Sequence, residues 1–154
     1  MPKPTWISLT GGIALIGGLF ILVGLSRAPK TQSPSAGSLV VTLSVDKSIC
    51  RPGETIQATL QVANPTAQAV TLSFSSSQRF DLVIEDEGGG ELWRWSQGRF
   101  FLQVLGQVTL TPGGPPLIFH AEAPAPTEPG SYRLLGGLAN EGRVFSAYTS
   151  FTVR

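Results

Sequence analysis

Cysteine and histidine are nearly absent: Cys50 and His120 are the only ones in 154 residues. A lone thiol excludes an internal disulfide, and one residue of each kind excludes a multi-His or multi-Cys zinc site. Charge is also scarce, at 14% of residues against about 25% in an average globular chain. The formal net charge is +1, but residues 31–154 hold eight Lys/Arg and ten Asp/Glu, a net −2. That balance provides no basic face for nucleic acid. Missing too are the sequence patterns of a calcium loop, a His-Glu-x-x-His metal site, a nucleophile elbow and a phosphate-cradling Gly-Lys-Ser/Thr loop. No enzymatic signal stands out, no cofactor is implied, and no catalytic, cofactor-binding or metal residue is nominated.

The chain does carry one long uncharged run, WISLTGGIALIGGLFILVGL at 6–25. At 1.5 Å per helical residue, about 20 residues match a hydrocarbon core of about 30 Å. A buried soluble helix is the alternative, but a helix apolar on every side needs a larger core than this chain can supply. Ser26-x-Ala28 followed by Pro29 is an awkward cleavage site, which favours an uncleaved anchor over a signal peptide. Cys50 lies too far beyond the run for lipidation. Lys3 on one side faces Arg27 and Lys30 on the other, so positive charges specify orientation weakly. The short charged head before the run favours a single pass with the C-terminal domain outside the cytoplasm. Residues 1–28 are thus expected to be a transmembrane anchor or signal-anchor, 29–38 a Pro/Ser-rich linker, and 39–154 the folded domain.

Glycine and proline, 18 and 12 residues, punctuate the remainder, where apolar side chains alternate with period two. In TIQATLQV, Ile56, Ala58, Leu60 and Val62 share one face, the pattern of a half-buried strand. Further strands are expected at 39–45, around Val70–Phe74, in RFDLVIED, in ELWRWS, and at 100–110, 117–123, 131–139 and 144–153. DEGGG at 86–90 closes a hairpin. Eight or nine short strands with Gly/Pro turns and no helix after residue 25 predict an all-β, immunoglobulin-like antiparallel β-sandwich preceded by one N-terminal transmembrane helix. Phe145, Ala147, Thr149, Phe151 and Val153 form one inward set; a closed barrel is the alternative architecture.

Several residues together carry a resemblance: Pro52-Gly53-Glu54, Asn64, Leu72-Ser73-Phe74-Ser75, Gln78, Phe80-Asp81, Trp93-Arg94-Trp95-Ser96 and Phe100 or Phe101. In this pattern residues 40–153 resemble the BsuPI family, the bacterial domain named for an intracellular proteinase inhibitor. The similarity weakens after residue 105, where the family's Leu-x-Pro-Gly-Glu turn is Leu110-Thr111-Pro112-Gly113-Gly114 and a later Trp is replaced by Phe119. The resemblance implies a β-sandwich and, from the founding member, inhibition of a subtilisin-type serine protease. The family name says intracellular, whereas the apolar run at 6–25 places any target in the cell envelope.

Individual residues have structural and functional readings. Trp93 and Trp95, two apart, are expected mainly buried on one strand face; an exposed aromatic patch is the alternative. Arg94 is expected to pair with Asp81 across the hairpin, or else to stack on an aromatic or meet a partner. Asp81 and Glu85 share a face, too weak a hint for an acid/base dyad. His120 reads as a hydrogen-bonded strand residue, and Cys50 as a buried thiol or one that links two chains. Glycines 88–90, 113–114 and 136–137 read as turn or bulge devices. The expected function is a membrane-anchored, proteinase-inhibitor-like domain binding a serine protease through surface loops. The alternative is an envelope interaction module without inhibitory activity. Loop candidates are 86–90, 96–99, 111–116 and 140–143, with Arg99 and Arg143 as anchors.

Overall fold

The structure, a computed structural model, describes residues 39–141 and 146–154. The apolar run 6–25, the linker 29–38, Phe145 and the end of the loop at 140–143 lie outside the described residues. Ten strands run in order: β1 (Val40–Val45), β2 (Ile49–Cys50), β3 (Thr55–Ala63), β4 (Val70–Phe74), β5 (Phe80–Glu85), β6 (Glu91–Arg94), β7 (Gly106–Leu110), β8 (Leu117–Pro124), β9 (Gly130–Leu138) and β10 (Ser146–Val153).

Period-two patterning divides each long strand into an inner and an outer face. In β3, Ile56, Ala58, Leu60 and Val62 are buried while Gln57 and Gln61 face solvent. One sheet has the order β1-β3-β8 and the other β2-β10-β9-β5-β6, with a separate ribbon of β4 and β7. The inner faces share one core, in which Ile56, Leu60 and Val62 of the first sheet join Leu82, Ile84, Leu134, Phe151 and Val153 of the second. The domain is therefore an all-β sandwich with two distinct sheets. The chain enters the first sheet as β1, then crosses to pair β2 in parallel with the end of β10. This two-residue strand is too short to register as alternation in the sequence.

Three expectations need correction. The run at 100–110 is a strand only from Gly106 onward, because the backbone of Leu102 is bonded to Ser77 in a loop rather than to a neighbouring strand. Glycines 136 and 137 are neither turn nor bulge: both lie within β9 and pair regularly with β5 and β10. A Cβ on Gly136 would come 2.9 Å from Leu82 Cδ2 and 3.1 Å from Leu43 Cδ1, so glycine there permits the sheets to approach. The strand expected in ELWRWS stops at Arg94: Trp93 and Trp95 both pack against the core as expected, but Trp95 lies past the end of β6, though its N–H still donates to Leu82 O at 2.9 Å.

Candidate binding loop

Hairpin β5–β6 ends in a tight set of polar contacts centred on Asp81. Its carboxylate accepts from Ser96 N (3.1 Å), Ser96 Oγ (2.7 Å) and Arg94 Nη1 (3.1 Å), and caps its own neighbour Leu82 N (3.0 Å). Arg94 also donates to Glu91, from Nε at 2.9 Å and from Nη2. The two carboxylates hold its guanidinium well above the ordinary range, first through hydrogen bonds and then through their charge. Glu85, the other half of the dyad considered above, pairs instead with Arg133 at 3.0 Å. Asp81 and Glu85 thus serve separate ion pairs.

These contacts pin residues 94–96 and so fix where the chain leaves the hairpin. An aromatic row stands beside them: Phe119 on Phe80 (4.9 Å between centroids), Phe80 on Trp95 (4.4 Å) and Trp95 near Phe101 (6.0 Å). Gly98 adopts φ +75°, a left-handed conformation that turns the chain back over Trp95. Arg99 then lies 4.3 Å above the indole and donates from Nε to Trp95 O at 2.8 Å. Beyond it, Leu102 exchanges hydrogen bonds with Ser77: Leu102 N donates to Ser77 Oγ at 2.9 Å, and Leu102 O accepts from Ser77 N at 2.8 Å. The far end reaches β7 at Gly106, where a Cβ would fall 2.5 Å from Arg79 Nη2.

Loop 95–105 is therefore restrained at several points along its length, yet all its apolar side chains except Trp95 and Phe101 are exposed. Phe100 is fully exposed, Leu105 is 85% exposed and Leu102 71%, with Val104 and neighbouring Leu92 also exposed. Folding alone gives no benefit from this display, since apolar side chains left in water forgo about 1.5–3 kcal/mol each. Contiguous exposed apolar residues mark interaction sites. The loop candidate at 96–99 lies in this segment; residues 100–105 were missed because their hydropathy resembles a buried strand. The available signal was the broken alternation at Phe100-Phe101-Leu102 just after the Gly98 turn.

The other singled-out residues have local roles. Gly89 (φ +82°) and Gly113 (φ +61°) close the turns at 86–90 and 111–114. Buried Asn64 donates to Gln68 O (2.7 Å) and Leu110 O (2.8 Å) and accepts from Thr66, tying the β3–β4 connection to β7. Glu54 accepts from Lys47 Nζ (2.8 Å) and Arg51 N (2.8 Å); both contacts hold its carboxyl below the ordinary value, and the same pair raises Lys47. His120 Nδ1 meets Thr59 Oγ1 at 3.1 Å on an exposed strand face. Cys50 is buried with its Sγ 3.6 Å from Thr152 O, and burial pushes the thiol up. On the outer face of the five-stranded sheet, Asp81, Val83, Arg94, Leu135, Gly137 and Ser146 line a recess of about 150 Å³, small beside ligand pockets of about 300–1,000 Å³. No group of three potential metal ligands occurs among the described residues.

The family described as intracellular proteinase inhibitor, BsuPI, matches residues 43–142. The chain belongs to the BsuPI family. Within this BsuPI domain the quoted signature residues prove to be scaffold: Asn64 staples a connection, Phe80 carries the aromatic row, and Asp81, Arg94 and Ser96 clamp the start of loop 95–105. No curated protein matches the sequence. Among solved structures, the sporulation control protein Spo0M of Bacillus subtilis is similar at 18% identity and a TM-score of 0.50, over 77% of this chain and 50% of Spo0M. The chain therefore spans half of that protein, and the likeness concerns the fold alone. A CARDB domain from Pyrococcus furiosus, solved with di-metal ions, superposes with a TM-score of 0.48 at 16% identity, over 75% of this chain and 92% of that one.

Proposed function

We propose that the BsuPI domain binds a subtilisin-type serine protease through loop 95–105, with an immunoglobulin-like sandwich as the rigid support. On this reading the domain is not itself an enzyme, residues 6–25 anchor it in the membrane by a single pass, and the sandwich faces the extracytoplasmic side. The observation that carries the reading is the loop itself, whose backbone is tied to Trp95, Ser96 and Ser77 while Phe100, Leu102 and Leu105 stay in water. A preorganised loop loses less conformational entropy on binding than a free peptide. Protease clefts take extended chain, which suits a segment already held open. Membership in a family described as proteinase inhibitor supports this choice of partner. The strand order β1-β3-β8 opposite β2-β10-β9-β5-β6 supports the immunoglobulin-like description.

The test is titration of subtilisin-type proteases with the full-length protein in mild detergent. Stoichiometric loss of peptidase activity, with the loop surviving intact, is the expected result. Full protease activity at large excess, with the loop rapidly cut, would favour the interaction module without inhibition. Fractionation of cells checks the anchor separately: the full chain should sediment with membranes and resist high-salt extraction.

A further inference from the structure

Within loop 95–105, Phe100 differs from its neighbours in being fully exposed while the residues on both sides are held. On the N-terminal side, Arg99 N donates to Ser96 O at 3.1 Å, and its side chain is tied to Trp95. On the C-terminal side, the Phe101 ring packs near Trp95, and Leu102 is bonded through both backbone groups to Ser77. Phe100 therefore sits at the apex of a segment whose flanks cannot easily rotate it inward. Its ring is also the largest apolar side chain in the exposed set, and buried aromatics contribute about 150–250 Å² each to an interface. Residues 100–105 carry no charge, and the Arg99 cation is stacked on an indole. A pocket accepting this apex must be deep, apolar and uncharged.

We infer that Phe100 is the specificity-determining anchor of the loop, entering the primary substrate pocket of a protease that prefers large apolar or aromatic residues. This rests on the protease reading given above and names the residue and the pocket chemistry that it leaves open. An anchor filling a closed pocket carries most of the binding energy, whereas rim contacts contribute little. Leu105, though 85% exposed, is then a rim residue.

The experiment titrates the full-length protein and three variants, Phe100→Ala, Phe100→Arg and Leu105→Ala, against subtilisin and trypsin, whose pockets are apolar and acidic respectively. Because Phe100 packs against nothing, circular dichroism and Trp fluorescence should be unchanged in its variants. Phe100→Ala should weaken subtilisin inhibition by about 30-fold or more, Phe100→Arg should gain trypsin inhibition while losing subtilisin, and Leu105→Ala should stay within a few-fold. Wild-type inhibition of subtilisin that survives Phe100→Ala would overturn the anchor but leave the protease reading standing. A wild-type protein that inhibits neither enzyme would overturn the protease reading and the anchor with it.

Discussion

Asp81 accepts hydrogen bonds from Leu82 N, Ser96 N, Ser96 Oγ and Arg94 Nη1 with its side chain only 17% exposed. Replacing it with Ala strands these donors and the Arg94 cation, and should cost about 2–3 kcal/mol. Chemical denaturation measures that loss, and Asp81→Asn, which keeps one acceptor oxygen, should lose less. Cys50 offers a second residue-scale check. Its thiol is buried and shifted upward, so little reactive thiolate exists near neutral pH. Thiol reagents should label it slowly in the native protein and rapidly in denaturant; fast native labelling would contradict its placement. Glu54 makes a third. Because its folded carboxyl is held down by Lys47 and Arg51, its stabilisation is present above the ordinary carboxylate value and is lost as pH falls through the lowered one. The stability difference between wild type and Glu54→Gln should accordingly be larger at pH 6 than under acid conditions, and a pH-independent difference would refute the linkage.

Among the elements, β9 has the most demanding position, lying between β5 and β10 with Leu134 fully buried. Leu134→Ala should destabilise by about 2–5 kcal/mol, the usual cost of a cavity that neighbours cannot fill. Gly136→Ala in the same strand has the opposite fault. Its methyl group would press on Leu82 from its own sheet and Leu43 from the facing one, so overpacking should cost about 1–3 kcal/mol. Thermal or urea unfolding resolves both, and a neutral Gly136→Ala would show that the sheets separate more easily than the contacts imply. Loop 95–105 behaves differently because its contacts are largely to Trp95 and Ser77 rather than to the sandwich core. Trp95→Ala removes the surface on which Arg99 and Phe101 rest. It should loosen the loop more than the sandwich, seen as faster proteolysis within 97–105 than elsewhere.

At the level of the whole molecule, stability and display are divided between different parts. The sandwich core is apolar, from Leu39 and Val41 through Phe74 to Phe151 and Val153. The polar clamps lie around its margins, where they aim turns and loops. Exposed apolar residues gather at one restrained loop, although Ile49 and Ile118 are also exposed elsewhere. A scaffold of this kind can change its loop without unfolding, since the anchors Asp81, Trp95 and Ser77 lie outside residues 97–101. Substituting Phe100 should therefore leave the unfolding midpoint unchanged within about 0.5 kcal/mol, as for other surface positions.

Sequence alone determined the features that depend on local period and composition. Alternation in TIQATLQV and LIFHAEA identified β3 and β8, DEGGG identified the hairpin turn, and the scarcity of Cys and His excluded an internal disulfide and a multi-His or multi-Cys zinc site. Spacing also brought Arg94 within reach of Asp81, because the hairpin sets Arg94 opposite Val83 and Asp81 lies two residues away on the same face. Tertiary structure decided what depends on distant partners. Residues 100–105 have the hydropathy of a buried strand, yet the bonds that position them lead to Ser77 and Trp95 rather than to a neighbouring ladder, so Phe100, Leu102, Val104 and Leu105 face water. Gly136 looks like a turn residue until Leu43, remote in the chain, fills the space above it. Hydropathy records which side chains gain from burial, but only the folded chain determines whether a surface is available to bury them.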